Sequence, residues 1–286
     1  MKVGIGLPST VPGTEGGDLR EWAIRAERAG FSTLGTIDRI VYPNHESLVA
    51  LAYAAAVTEH IGLLTSMLLA PLRSNTALLA KQAASLDVLS GGRLTLGLAP
   101  GGREDDFDVS GVEFSRRGAI FDRQLEELRR LWGGEKVGFA GSVGPQPRDG
   151  RPEVVIGGRA DAAFRRAAGH AGWMMGGGPP DHFPGLVEKL EAAWAEAGRD
   201  GRPRKMALGY FALGDGAREQ ARRYITDYYG YIGSDAAEQM AARVPSDPQA
   251  VRDIVAAFEQ AGCDEFVLFP VSSDPAQVDL LASAVL

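Results

Sequence analysis

Five short segments of the sequence carry the residues best suited to bind a ligand or to react. They are rich in glycine and poor in acids and bases: Asp38-Arg39, Ser66-Met67, Pro100-Gly101-Gly102-Arg103, Gly157-Gly158-Arg159-Ala160 and Gly176-Gly177-Gly178. Glycine lets the backbone approach a ligand closely, and arginine binds anionic groups. Such a set suits a flat aromatic cofactor that carries out the chemistry itself.

Several other chemistries lack the residues they need. The four histidines have no metal-ligand spacing and no paired cysteines accompany them: His45, His60, His170 and His182. We therefore expect no bound metal, and a metal-dependent barrel hydrolase is disfavoured. The sequence also has no Gly-x-Ser-x-Gly elbow and no phosphate-binding loop ending in Gly-Lys-Ser/Thr.

Composition restricts the partners and the compartment. The chain has 286 residues and a formal net charge of −7, which argues against nucleic acid as a partner because phosphate binding needs clustered Lys and Arg. The single cysteine, Cys263, excludes an internal disulfide and fits a reducing cytoplasm. No apolar run is long enough to span a bilayer and no secretion signal is visible, so we expect a cytoplasmic protein with no membrane partner.

Short apolar runs alternate with helical patterns along almost the whole chain. We predict eight strands, at Val3–Leu7, Thr33–Ile37, Ile61–Leu68, Leu94–Ala99, Val154–Ile156, Gly172–Met175, Met206–Phe211 and Glu265–Phe269. This alternation and length predict one α/β domain, residues 1–286, folded as a (β/α)8 TIM barrel. The rival open doubly wound sheet would carry Gly-x-Gly-x-x-Gly, but Ser9 stands where the third glycine is needed after Gly4 and Gly6.

Capping residues predict where several helices begin and end. Asp18 is expected to cap a helix that closes at Gly30, and Ser115 to open another. Asp247-Pro248 and Asp274-Pro275 each place a cap residue before a proline at the first helical position. A tyrosine run, Tyr224, Tyr228, Tyr229 and Tyr231, follows the seventh strand with helical spacing; we read it as packing, with a substrate-facing role as the alternative.

The segment from Ile61 to Gly111, which contains LDVLSGGRLTLGLAPGG, resembles the core signature of the bacterial luciferase-like flavin oxidoreductases. The resemblance extends to AGFSTLGTIDR, VVIGGRADAAFRRAAGHAGWMM and CDEFVLFPVSSDP, and so covers roughly the whole chain. It implies a TIM barrel that binds reduced FMN or the deazaflavin coenzyme F-420 at the carboxyl ends of its strands. It further implies hydride transfer or oxygen insertion, often by a homodimer.

The resemblance also implies roles for particular residues. A non-proline cis peptide bond between Ser66 and Met67 would form a bulge behind the cofactor ring. The start of the helix after Gly158 would hold the phosphate or the deazaflavin tail. The full set of expected cofactor contacts is Leu7, Asp38, Thr65, Ser66, Met67, Ala99, Pro100, Gly101, Gly102, Arg103, Gly157, Gly158, Arg159, Ala160, Gly176, Gly177 and Gly178.

Two departures from the family pattern concern the chemistry. Arg39 stands where some relatives have a catalytic histidine, and arginine cannot act as a base near neutral pH; it would instead orient an anionic substrate or stabilise the reduced flavin. Ion pairs are the alternatives, with Asp38 or another carboxylate for Arg39, and with Glu104 or Asp105 for Arg103. His45 is a second acid–base candidate. Gly102 replaces a tryptophan found in many relatives, which leaves more room beside the cofactor.

These features predict a flavin-dependent monooxygenase that uses reduced FMN, supplied by a separate flavin reductase, on a small organic substrate. One alternative is hydride transfer with coenzyme F-420. The other is a flavin-binding protein with little catalysis.

Overall fold

The computed structural model describes residues 1–286 and contains a closed parallel barrel. The strands in chain order are β1 (Lys2–Gly6), β2 (Thr33–Thr36), β3 (Gly62–Thr65), β4 (Leu68–Leu69), β5 (Leu94–Ala99), β6 (Lys136–Val137), β7 (Gly141–Ser142), β8 (Glu153–Gly157), β9 (Gly172–Met175), β10 (Arg204–Phe211) and β11 (Glu265–Pro270). The barrel runs β1-β2-β3-β5-β8-β9-β10-β11 and closes where β11 pairs with β1. All eight predicted strands and the TIM-barrel fold are confirmed.

Eleven helices complete the fold. They are α1 (Gly16–Ala29), α2 (Ser47–Ala55), α3 (Thr76–Leu89), α4 (Glu104–Val109), α5 (Arg117–Trp132), α6 (Asp161–Ala168), α7 (Phe183–Glu196), α8 (Ala217–Tyr229), α9 (Ser234–Ala242), α10 (Pro248–Gln260) and α11 (Ala276–Val285). None of them combines the length and the apolar character that crossing a bilayer requires.

The predicted helix boundaries were partly wrong. α1 begins two residues before Asp18, which closes a capping box with Glu15 instead of serving as the N-cap. Ser115 lies in a short 3-10 turn, and α5 begins only at Arg117. Gly30 ends α1 in a left-handed conformation and Asp247 caps α10 through the amide of Ala250, as predicted.

Alternate residues of the strands enter two separate cores. One set, which includes Ile5, Leu96 and Leu268, packs against the helices. The other set, which includes Met174, Val267 and Phe269, fills the barrel interior. Gly6 leaves the space that the ring of Phe269 occupies, since a Cβ at that position would lie 2.1 Å from the ring. The period of two expected for strands covered on both faces is therefore present.

Glu265 joins three strands at the amino end of the barrel. Its side chain accepts hydrogen bonds from Ser32 Oγ (2.6 Å) and Thr33 Oγ1 (2.5 Å), and it pairs with Arg204. Burial alone would raise the pKa of Glu265, but these hydrogen bonds and the charge of Arg204 lower it. The end opposite the predicted site is thus closed by a satisfied polar network.

Candidate functional site

A cavity of about 890 Å³ opens at the carboxyl ends of the barrel strands. This volume lies in the range of cavities that hold cofactors and drug-sized ligands. Asp38 is the only carboxylate on its wall, whereas the arginines there are Arg103, Arg159 and Arg243. The cavity is therefore cationic in a chain that is anionic overall.

Most of the residues expected to contact a cofactor line this cavity. They are Asp38, Ser66, Met67, Ala99, Gly102, Arg103, Gly157, Gly158, Arg159, Gly176, Gly177 and Gly178. They follow β2, β3, β5, β8 and β9, so five strand ends converge on one site.

The other expected contacts lie off the cavity wall. Leu7 is buried, and Thr65 donates its hydroxyl to the carbonyl of Gly97 at 2.7 Å. Gly101 packs near the ring of Phe107, and Ala160 is the N-cap of α6. Pro100 is likewise absent from the wall. At the end of β5 the wall therefore contains Ala99 and Gly102 but not the two residues between them.

Asp38 anchors the segment that follows β3. Its carboxylate receives Nη1 of Arg73 at 2.6 Å and the amide of Leu69 at 2.8 Å. Because Leu69 follows the Ser66-Met67 segment by two residues, the end of β2 fixes the backbone beside the cavity. Asp38 pairs with Arg73 and not with Arg39, so this proposed ion pair of Arg39 was wrong.

The peptide bond between Ser66 and Met67 is cis, as the resemblance implied. The Met67 side chain lies where side chains at Gly97 and Gly157 would be, since Cβ atoms there would come within 3.0 and 2.7 Å of it. The hydroxyl oxygen of Ser66 is buried and has no hydrogen-bond partner, and Ser66 lines the cavity. Buried polar atoms are almost always paired, so Ser66 Oγ is an unsatisfied group in a residue of the cavity wall.

Arg39 is held by carboxylates outside the cavity wall. Its Nη2 lies 2.9 Å from Asp105 and its Nε lies 3.7 Å from Asp106. Asp106 is fully buried and also accepts the amides of Ile40 (2.9 Å) and Val41 (2.6 Å). These contacts hold α4 against the loop after β2. Arg39 therefore pairs with carboxylates other than Asp38, which was the second alternative for its ion pair.

His45 is also engaged away from the cavity. Its Nε2 donates to the carbonyl oxygen of Thr14 at 2.9 Å. The catalytic roles of Arg39 and His45 stay predictions, with no contact to the cavity in their favour.

Arg159 links the loops after β8 and β9. Its Nη2 donates to the carbonyl oxygens of Gly176, at 3.1 Å, and Gly177. α6 begins two residues later, at Asp161. The first amides of a helix have no partner inside it and favour anions, so this side of the cavity combines a guanidinium with a helix start.

Tyrosines form the opposite wall. Tyr210, Tyr228, Tyr229 and Tyr231 line the cavity, and the hydroxyls of Tyr210 and Tyr229 lie 2.8 Å apart. Burial raises the pKa of Tyr229 to about 12 and that of Tyr210 well above its ordinary value. The predicted tyrosine run therefore both packs and faces the cavity, except Tyr224, which does not line it.

Arg103 reaches across the entrance to these tyrosines. Its Nη2 donates to the carbonyl of Tyr228 at 2.8 Å, and its guanidinium lies 4.0 Å from the ring centroid of Tyr231. The alternative that paired Arg103 with Glu104 or Asp105 was wrong, because neither carboxylate lies within 4.0 Å of it.

Several wall residues were not among the expected contacts. They come mainly from β10 and from the segment around α9: Leu208, Gly209, Tyr210, Ile232, Ala236, Gln239, Met240, Arg243, Val244 and Pro245. The end of β10 was a usable signal, since strand ends build barrel sites. The α9 segment carries no comparable motif.

A smaller, polar cavity of about 420 Å³ lies at the amino ends of β5 and β8. Arg93 there donates to the carbonyls of Ile61 and Thr58, and Arg199 to that of Ala168. Glu153 pairs with Arg204 at 2.6 Å. Each of these three side chains is already bonded, to backbone carbonyls or to an opposite charge, and so holds the framework together.

The sequence matches the family described as luciferase-like monooxygenase over residues 1–278. An uncharacterised protein of Mycobacterium tuberculosis is 34% identical over 204 residues, covering 61% of this chain and 70% of that protein. The F420-dependent glucose-6-phosphate dehydrogenase of Amycolatopsis mediterranei is 28% identical, covering 84% of this chain and 80% of the enzyme. The pyrimidine monooxygenase RutA of an Enterobacter species is 27% identical, covering 73% of this chain and 61% of RutA.

Solved structures share the fold. An F420-dependent secondary alcohol dehydrogenase bound to an F420-acetone adduct superposes with a TM-score of 0.83 at 20% identity, covering 100% of this chain and 98% of that one. The monooxygenase RslO1 of Streptomyces bottropensis gives 0.77 at 23% identity, covering 99% and 96%.

Proposed function

Because the chain belongs to the luciferase-like monooxygenase family, whose enzymes are oxidoreductases, we propose that it is a monooxygenase that uses reduced FMN on a small organic substrate. One observation carries the proposal. The large cavity has a single carboxylate on its wall, Asp38, and Arg73 already neutralises it. Apart from the tyrosines, the imidazole of His182 is the one other acid–base group on the wall. A wall so poor in acids and bases suits a cofactor that brings its own reactivity.

The wall residues fit a flavin-like group. Ser66 Oγ supplies an unpartnered polar atom, and Gly102 and Gly176 leave open space, since no atom lies within 4 Å of a Cβ at either position. Arg159 and the start of α6 would hold an anionic tail. Bound reduced flavin would supply the electrons that activate oxygen.

The protein's own residues would position and enclose the reactants. Asp38 holds the backbone after the Ser66-Met67 bond through Leu69. Met67 closes the base of the cavity against Gly97 and Gly157. The paired hydroxyls of Tyr210 and Tyr229 stay protonated well above neutral pH, because burial raises the pKa of both.

Hydride transfer with coenzyme F420 is the second candidate function. It is favoured by the F420-dependent dehydrogenase among the relatives and by the F420-dependent enzyme among the structures of the same fold. The same glycine and arginine contacts would serve either cofactor.

Titration of the purified chain with oxidised FMN, anaerobically reduced FMN and F420 tests the proposal. We expect reduced FMN to bind well below millimolar concentration, a regime of weak affinity, and an oxygen pulse to reoxidise the bound flavin at a rate different from that of free reduced FMN, which oxygen oxidises without a protein. Binding of F420 alone would favour the second candidate. Bound flavin that oxygen reoxidises at the same rate as free reduced FMN would indicate a carrier, and failure of all three cofactors would overturn the flavin site.

Gly176→Trp is the matched variant for that titration. Gly176 has open space around its Cβ direction, so a large side chain should fill the cavity and lower cofactor affinity at least about tenfold. Gly158 is a poorer choice, because its φ of +129° and the nearby Ala163 would strain any substitution. Retained cofactor affinity in Gly176→Trp would remove this loop from the site.

We also propose that the enzyme is a cytoplasmic homodimer that receives reduced FMN from a separate reductase. Exposed apolar side chains on neighbouring helices, Val49 and Tyr53 on α2 and Leu78 and Leu89 on α3, would form the face for a second copy. Light scattering should give twice the chain mass. Leu89→Glu should shift it toward the monomer, and a monomeric wild type would overturn the dimer.

A further inference from the structure

Arg103 is a buried cation without a counter-ion. Only 8% of its surface is exposed, and its one polar partner is the carbonyl of Tyr228. Arg39 and Arg73, two largely buried arginines off the cavity wall, each pair with a carboxylate within 3 Å. Burying a charge is unfavourable unless it is paired, so Arg103 is prepared for an anion that the chain itself does not supply.

Three tyrosine rings hold the guanidinium in place. Its central carbon lies 4.0 Å from the ring centroid of Tyr231, 4.5 Å from that of Tyr228 and 5.7 Å from that of Tyr229. Cation–π contacts of this kind compensate part of the lost hydration and fix the orientation of the plane. They leave the edge donors of the guanidinium free.

Those donors face space that a ligand can reach. Nε and Nη1 of Arg103 bond no protein atom, and neither is enclosed by the protein. Nε of Arg39, in contrast, is enclosed and has no hydrogen-bond acceptor. Arg103 lines the cavity, and its neighbour Tyr231 is 56% exposed. The free donors therefore lie where the cavity meets solvent.

This position separates Arg103 from the expected cofactor anchor. Arg159 and the glycines after β8 and β9 form one side, whereas Arg103 bonds Tyr228 in the last turn of α8. A planar guanidinium with free edge donors matches the oxygens of a carboxylate or sulfonate. Aromatic faces beside it favour a ligand with a flat apolar body.

We propose that Arg103 binds the acidic group of the substrate, so that the substrate is an organic carboxylate or sulfonate whose body lies against the tyrosine wall. This inference rests on the proposed function for the reaction, but the anion site itself can be tested without a cofactor.

Binding of 2-naphthoate, 2-naphthalenesulfonate and the neutral 2-naphthamide should be measured by calorimetry on the full chain, with and without FMN or F420. The wild type should bind at least one of the two anions at least about tenfold more tightly than the amide, or about 1.4 kcal/mol. Comparison of the two anions then identifies the acid class. Equal binding of both anions and the amide would overturn the proposal.

Variants distinguish recognition from structure. Arg103→Gln should reduce the anion-to-amide ratio to about one, and Arg103→Lys should keep part of it. Arg117→Gln is the matched control, since Arg117 also stacks on a ring, Phe114 at 3.8 Å, and donates to that residue's carbonyl, outside the cavity. It should keep the wild-type ratio.

Two outcomes separate this proposal from the proposed function. If no cofactor binds but the anion ratio depends on Arg103, the flavin function fails and the anion site stands. If Arg103→Gln lowers cofactor affinity and leaves the anion ratio unchanged, Arg103 belongs to the cofactor and this inference is overturned. Should Arg103→Gln not fold, Arg103→Lys carries the test, because lysine lacks the planar pair of edge donors. An unchanged ratio of sulfonate to amide binding in Arg103→Lys would contradict edge-on recognition.

Discussion

Arg73 binds both carboxylate oxygens of Asp38, with Nη1 2.6 Å from Oδ2 and Nη2 3.0 Å from Oδ1. Asp38 is nearly fully buried, and removing it leaves the amide of Leu69 without its acceptor and Arg73 with the more exposed Glu46, at 2.7 Å, as its remaining charged partner. We expect Asp38→Ala to lower the free energy of unfolding by about 1–3 kcal/mol, the usual cost of leaving buried polar groups unpaired. Denaturant unfolding measures this change.

Glu238→Ala is the control for that experiment. Glu238 pairs with Arg222 on the exposed surface at 2.7 Å, where such pairs contribute about 0–1 kcal/mol. Equal losses in the two variants would contradict the anchoring role of Asp38.

A second prediction concerns the glycine at the centre of β5. A Cβ at Gly97 would lie 2.0 Å from the carbonyl oxygen of Thr65 and 3.0 Å from Met67. Gly97→Ala should therefore destabilise the fold by at least about 1–3 kcal/mol, the usual range for overpacking. Gly176→Ala is the control: its added Cβ has no neighbour within 4 Å, so its free energy of unfolding should stay within about 0.5 kcal/mol of the wild type. Melting curves of Gly97→Ala that match those of the wild type would refute the tight packing at Met67.

Gly102 offers a test of cavity size. Its Cβ direction is open, so Gly102→Trp can fold and will occupy part of the cavity. We expect about tenfold weaker binding of 2-naphthamide, with benzamide much less affected. Gly102→Ala serves as the control, and an unchanged naphthamide affinity in the tryptophan variant would show that this wall does not limit the ligand.

The tyrosine wall predicts alkaline behaviour. Burial raises the pKa of five of the seven tyrosines: Tyr42, Tyr210, Tyr224, Tyr228 and Tyr229. Because these groups ionise more easily in the unfolded chain, their contribution is complete below about pH 10 and is lost as the pH rises above it. For Tyr229 the loss extends to about pH 12.

Two measurements check this prediction. The free energy of unfolding should fall above about pH 10 by about 1.4 kcal/mol per pH unit for each such tyrosine. Tyr229→Phe should make that fall less steep by the contribution of one tyrosine. Tyrosinate absorbance that reaches its full amplitude in the folded protein near pH 10 would contradict the burial of the hydroxyls.

The sequence predicted the strands well because several carry nearly continuous apolar runs, as is usual for parallel strands buried on both faces. Helix starts were less reliable. Asp18 lies three residues after Glu15 and is the third helical residue of a capping box, in which Glu15 is the N-cap. From the sequence alone, an acidic residue before an apolar stretch fits the N-cap and the third helical position equally well.

The site was predictable where it follows strand ends and not where distant segments meet. The glycines after β8 and β9 follow from the fold. The contact of Arg103 with Tyr228 joins residues 125 positions apart, and no local pattern encodes it. The sequence placed both residues among the candidates but did not indicate that they belong together.

The hairpin of β6 and β7 lies between α5 and β8, on the side of the barrel away from the cavity. Phe139 at its tip is fully exposed, and Lys81 tethers the chain just beyond it through the carbonyl of Gly144 at 2.8 Å. Exposed loop tips accept inserted sequence. A fluorescent reporter or an immobilisation tag placed at this tip would leave the entrance clear, so the enzyme can be fixed to a surface with its cavity facing outward.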